Sequence, residues 1–139
     1  MEGLTGLKNV ERNLNEAIEE IKGDVSEGVQ DVGLDLLSES VKLAPVMTGT
    51  LRGSGYVEFN NQQIAEGTEM GTIIKNPLII EAIDNPSAEI GFGEEYAVKQ
   101  HEEVEYNHPK GGQAKYLEEP MKNNTMKYVD LIRKKAKVD

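Results

Sequence analysis

The sequence predicts an α+β fold: a long N-terminal amphipathic helix and a C-terminal helix packed on a small, mainly antiparallel sheet. Three observations carry that expectation. Apolar residues recur at Leu7, Val10, Leu14, Ala17 with Ile18, Ile21, Val25, Val29, Val32, Leu36 and Leu37, in steps of three and four that put them on one side of a helix. From Leu51 the period changes to two: Leu51, Val57 and Phe59 share one side of a strand, and Arg52, Ser54, Tyr56 and Glu58 the other. Past Glu94 the helical spacing returns, in a short helix and, after a loop, a last one, so helices flank one block of strands.

The elements follow in order. Met1 to Gly6 is a frayed start, with Thr5 able to cap the first helix. Gly23, Gly28 and Gly33 each cost about 1 kcal/mol against Ala in a helix interior. Gly23-Asp24 therefore favours two helices, roughly 7–22 and 24–43, while the unbroken apolar spacing across Gly23 supports one continuous helix. Glu11, Arg12, Glu16, Glu19, Glu20, Glu27 and Asp31 face away from the row, which needs a sheet or a neighbouring subunit to cover it. Pro45 ends the helix, because it disfavours helical geometry at Ala44, and Gly49 turns the chain.

A strand opens at Leu51, and Asn60-Asn61-Gln62-Gln63 is a turn or strand end. Residues 66–77 read as a surface loop with room for a short strand, punctuated by Gly67, Gly71 and Asn76-Pro77. Leu78–Ile83 and Ala88–Phe92 read as a hairpin around the turn Asp84-Asn85-Pro86-Ser87. Glu94-Glu95 open a short helix with Tyr96, Ala97, Gln100, His101 and Val104 on one side. Asn107 to Gly112 is a loop. The last helix starts between Gln113 and Glu119, with Pro120 in its first turn and Met121, Met126, Val129, Ile132 and Ala136 as its buried side.

Length and composition bound the function. The 139 residues fit one domain, 1–139, with a variable loop at about 60–77 and an aliphatic core, since aromatics are 5% and Trp is absent. Net charge is −10, unevenly spread: residues 1–43 hold ten acids and four bases, 44–114 eleven and four, and 115–139 four and seven. An acidic body argues against specific nucleic-acid binding, and the opposite sign of the last segment suits head-to-tail contact between copies. The absence of Cys removes disulfides and thiolate metal sites. The start lacks a signal-peptide pattern, and no apolar run approaches the roughly 20 residues needed to span a bilayer, so a soluble, cytoplasmically made protein is expected.

Chemistry has few players. His101-Glu102-Glu103-Val104-Glu105-Tyr106-Asn107-His108 lacks the second His four residues after the first that a helical zinc site requires. Gly91-Phe92-Gly93 lacks the third glycine of a dinucleotide fingerprint and runs into two Glu. No serine has a nucleophile-elbow context. The expectation is no catalytic, cofactor-binding or metal-binding residue and no cofactor.

The stretch Ala44-Pro45-Val46-Met47-Thr48-Gly49-Thr50-Leu51-Arg52-Gly53-Ser54 resembles the A-P-x-x-T-G-x-L-R-x-S signature of the tailed-phage minor capsid or tail-completion family. The second half is similar to that family too. Ala88 to Phe92 leads to Tyr96-Ala97, His101-Glu102 and His108 through Gly112. Gln113-Ala114-Lys115-Tyr116-Leu117-Glu118 then resembles the family's G-Q-A-K-F-L-E block, with Tyr116 in place of Phe. The likeness runs in order from about Val29 to the end, and residues 60–86 are longer than the usual connection.

The resemblance implies a structural protein of the phage head–tail junction, found in the virion and made in the bacterial host cytoplasm. It would act without an active site, by self-association into a ring (often of six copies) and by docking to other neck, connector or tail-tube proteins. DNA would pass through the ring, and an acidic lumen would keep it from sticking. In that reading Pro45, Gly49 and Leu51 set the angle between helix and sheet, and Tyr96, Ala97 and Leu117 pack the later helices on it. The competing readings are a small metal-dependent hydrolase using His101 and His108, and a monomeric adaptor domain.

Overall fold

The computed structural model describes residues 2–46, 50–94, 97–102 and 112–137, with side chains described for all of these except 2–7 and 98–100. The fold is α+β. One helix, α1 (Glu2–Leu43), runs unbroken through Gly23, where an added Cβ would meet nothing within 4 Å. The two other glycines of this helix are contacts. A Cβ at Gly33 would lie 2.9 Å from Val57, and one at Gly28 would lie 3.3 Å from the Ile132 backbone, so a sheet and a helix approach α1 where it has no side chain. Of the two alternatives at Gly23-Asp24, a break or a continuous helix, the continuous helix is the one observed.

A short helical turn, α2 (Thr50–Gly53), precedes the sheet. The first strand therefore begins at Gly55 and not at Leu51. Ser54 closes the turn, its amide donating to the Thr50 carbonyl at 3.0 Å and its hydroxyl to the Leu51 carbonyl at 2.7 Å. Four antiparallel strands follow: β1 (Gly55–Phe59), β2 (Gln62–Gly67), β3 (Ile73–Lys75) and β4 (Ala88–Phe92), in the spatial order β3-β2-β1-β4.

Asn60 and Asn61 form the two-residue β1–β2 turn with φ of 46° and 70°, the left-handed pair that a tight hairpin requires. Register shifts between Val57 and Glu58, where Val57 pairs with Ala65 but Glu58 pairs with Gln63. The extra residue is Ile64, and the bulge lets consecutive Ile64 and Ala65 both face the core. Residues 66–77, read as a surface loop with room for a short strand, hold the end of β2 and that short strand, β3, joined by a turn in which the Thr68 and Thr72 hydroxyls lie 2.7 Å apart.

The expected hairpin of Leu78–Ile83 with Ala88–Phe92 is replaced by a different pairing. β4 pairs with β1, residue for residue from Gly55↔Phe92 to Phe59↔Ala88. Residues 78–83 are not a strand; they run along α1. The Gln30 side chain binds both backbone groups of Ile79: its amide nitrogen donates to the Ile79 carbonyl at 2.9 Å and its oxygen accepts from the Ile79 amide at 2.8 Å. Lys22 holds Asp84 at 2.7 Å. Ile79 and Ile83 pack on the core, while Ile80 between them is 93% exposed.

The main core joins Leu37 and Val41 of α1 to Val57, Phe59, Ile64 and Ala65 of the sheet. After α3 (Ala97–Glu102), the last helical region is two helices, α4 (Glu118–Asn123) and α5 (Thr125–Lys135). Asn124 and Thr125 interrupt it by bonding their side chains to the carbonyls of Pro120 and Met121, both at 2.8 Å. α5 runs antiparallel along α1: Lys127 meets Asp35 at 3.2 Å, Lys135 meets Glu27 at 2.9 Å, and Lys137 meets Glu20 at 3.6 Å. Its inner side is Tyr128, Ile132 and Ala136. Met121, Met126 and Val129, expected to be buried, are exposed; burial falls instead in steps of four at Pro120, Asn124, Tyr128, Ile132 and Ala136.

Candidate functional site

The resembling blocks, 44–54 and 112–118, are far apart in sequence and meet at the C-terminal end of α1. Helix ends leave carbonyls without partners, and this end fills them from three sources. Ala44 donates to the Ser40 carbonyl at 2.9 Å, and the Gln113 amide donates to the Leu43 carbonyl at 2.7 Å. Arg52 folds back from α2, its Nε donating to the Ala44 carbonyl and its Nη2 to the Lys42 carbonyl, each at 2.9 Å. A guanidinium suits this place, since its fork spans two acceptors and its charge faces the negative helix end. Partial burial lowers the Arg52 pKa, yet a guanidinium stays charged.

Gly112 lies directly on Ala44-Pro45. Its φ is +90°, and a Cβ there would stand 2.5 Å from the Ala44 oxygen and the Pro45 Cα. Both the dihedral and the closeness require glycine. Beside it a second apolar cluster joins Ala44, Leu51, Ala97 and Tyr116, with Leu43, Phe92 and Leu117 packed around it. Tyr116 is its centre. Its ring meets Phe92 and His101 edge to face, each with centroids 5.0 Å apart, and its hydroxyl donates to the Ala97 carbonyl at 2.7 Å. Burial pushes the Tyr116 hydroxyl up to about 12.

Of the six positions singled out in the sequence, four can be placed. Pro45 is fully buried under Gly112; Leu51 and Ala97 are buried in the Tyr116 cluster; Leu117 packs on its rim. Gly49 and Tyr96 lie outside the described residues. The sequence reading missed Arg52, placed on the outward side of a strand, and the weight of Gly112 and Tyr116. The available signal for Arg52 was a basic residue shortly after a helix C-terminus.

His101 has both ring nitrogens engaged. Nδ1 is 2.8 Å from a Glu102 oxygen, and Nε2 accepts the Glu118 amide at 3.1 Å, at the first turn of α4. Lys115 pairs with Glu102 and approaches Glu118 at 3.6 Å. The hydrogen bond from Lys115 first, and that from His101 second, hold the Glu102 carboxyl below its ordinary range. His108 lies outside the described residues, and among those described no three His, Asp or Glu side chains converge into a metal-binding group. A shallow hollow lined by Phe92, His101, Tyr116 and Leu117 lies over the cluster.

Neither a known protein family, nor a characterised protein, nor a solved structure matches the chain.

At the far end of α1 the helix leaves the body. From Lys8 to Ile21 every residue is exposed, and the first contacts below are Glu20 with Lys137 and Lys22 with Asp84. About four turns, roughly 20 Å, project free. The projecting part carries an apolar row: Val10 is 63% exposed, Leu14 59%, Ile18 41% and Ile21 47%. Among the described residues no helix is long and apolar enough to cross a membrane.

Proposed function

We propose that this protein is a structural component of a tailed-phage head–tail junction, acting by self-association and by docking between capsid connector and tail. The observation that carries the reading is the projecting third of α1 with its uncovered apolar row. A helix that short of its own contacts is marginal in water, and helices are held mainly by packing of an apolar side. A partner surface is the physical reason to keep four large aliphatic groups in line there.

The resembling blocks support the family half of the reading. Ala44, Pro45, Leu51 and Arg52 from one block and Gly112 and Tyr116 from the other each have a packing or hydrogen-bonding task at one corner. Residue types at those positions thus answer to a shared geometry. In this reading the corner fixes the angle at which α1 projects, and the work done is architectural.

The test is co-expression with the proteins encoded on either side of its gene, connector and tail-tube proteins in this reading. The expected result is co-purification with one of them in ring-shaped particles visible by electron microscopy. Failure to bind either, with the chain remaining single in their presence, overturns the proposal.

A further inference from the structure

The row on the projecting part of α1 continues a side of the helix that the fold already uses. Val10, Leu14 and Ile21 fall on the same side, by helical spacing, as Gly28, where Ile132 of α5 packs. α5 stops at Lys135, and Lys137 reaches only to Glu20. The chain's own helix therefore covers the lower part of this side and leaves the upper part bare.

What fits the bare part is a helix of similar kind, with apolar groups and positive charge. Glu11 and Asp24 border the row, and neither has an ion-pair partner among the described residues; Glu11 shares a surface hollow with Lys8 and Arg12, which lie farther round the helix. The outer side of α5 offers the complement. Met126 and Val129 are exposed there, and Arg133 and Lys134 beside them are also without ion-pair partners among the described residues; Asp130 is the acid of that side. Lengths agree as well: Val10 to Ile21 spans about 16 Å, as do the 11 residues of α5.

We infer that the projecting part of α1 docks on the outer side of α5 of a second copy of this chain, head to tail. The inference rests on the self-association reading above and names its contact. Each copy gives one surface and receives on another, so the contact is heterologous and closes into a ring or runs on as a fibre. One such helix pair falls short of the roughly 1,200 Å² of a stable interface, so trapping is a better probe than mass alone.

The chain has no cysteine, so introduced ones report without background. Leu14→Cys or Ile18→Cys in one tagged population is mixed with Met126→Cys or Val129→Cys in another and oxidised. These positions are exposed, and circular dichroism checks that each variant folds. The expected result is a disulfide dimer between the two populations, lost when the α5 copy carries Arg133→Glu with Lys134→Glu. It returns when the α1 copy also carries Glu11→Lys with Asp24→Lys. Dimers of the α1 variants with themselves, in place of mixed dimers, overturn the inference in favour of paired α1 rows. No cross-link, with the unsubstituted chain still forming larger species, overturns the inference alone. No cross-link and a single-copy mass even with the connector and tail-tube proteins overturns the self-association reading with it.

Discussion

Arg52 does what a glycine cap does at many helix ends, but with a side chain from eight residues further on. Its two hydrogen bonds are charge-assisted, and removing them exposes two helix-end carbonyls to poor alternatives. Arg52→Ala should cost about 2–3 kcal/mol, read as a lower urea midpoint at unchanged slope. Arg52→Lys should recover only part, because an ammonium is a point donor and the guanidinium spans both acceptors. Gln30 is the second residue whose side chain replaces backbone. Fully buried on α1, it gives Ile79 the pair of bonds a neighbouring strand would give. Gln30→Leu should cost about 1–3 kcal/mol and make residues 78–84 the first site cut by a protease, because the Ile79 amide and carbonyl lose their partner. Neither role was legible in the sequence. A Gln on a helix and an Arg after one are ordinary residues, and their value lies in which distant backbone comes within reach.

Among the elements, the helices were legible and the strands less so. The period of α1 and the stop at Pro45 come from sterics within a few residues, which sequence carries directly. The wrong strand pairing had a different cause. Leu78–Ile83 and Ala88–Phe92 satisfy every local rule for a hairpin, but β4 finds a better partner in β1, whose alternation matches it in full register. The Ile64 bulge likewise broke the period of two that would have announced β2. In the last helix Met126 and Val129 mislead the phase: burial falls in steps of four through Asn124, Tyr128, Ile132 and Ala136, so Tyr128, and not Met126 or Val129, meets α1. That docking predicts an alkaline response. Tyr128 donates to Asp35 at 2.7 Å, and burial first, with the Asp35 carboxylate next, raises its pKa; burial raises Tyr116 as well. Both are acids held protonated by folding. Their contribution is complete below the ordinary tyrosine value near 10 and is lost as pH rises past it, because only the unfolded chain then releases the protons. Thermal midpoints should fall from pH 10 to 12, and Tyr128→Phe should flatten that fall.

For the whole molecule, α1 is one helix with two fates. Its lower part is enclosed by sheet, α5 and the 78–84 segment; among the described residues its upper part touches none of them until Glu20. Removing residues 1–18 should leave a folded domain with a thermal midpoint close to that of the full chain, measured by calorimetry, since no described core residue is lost. If the projecting part instead folded back on its own body, the midpoint would drop by several degrees. The sequence had posed the right question, since a row this long exceeded what one small sheet could cover. It could not say which part would stay bare, because that depends on where α5 ends against α1.

Gly23 sits at the root of the projecting part, with open space where a side chain would be. Glycine is the residue that gives up helical geometry most cheaply after proline. The arm thus has a soft wrist. Tilting it by about 10° there would move Lys8, roughly 22 Å away, by about 4 Å, and it would do so at the expense of the Lys22–Asp84 and Glu20–Lys137 contacts that brace the root.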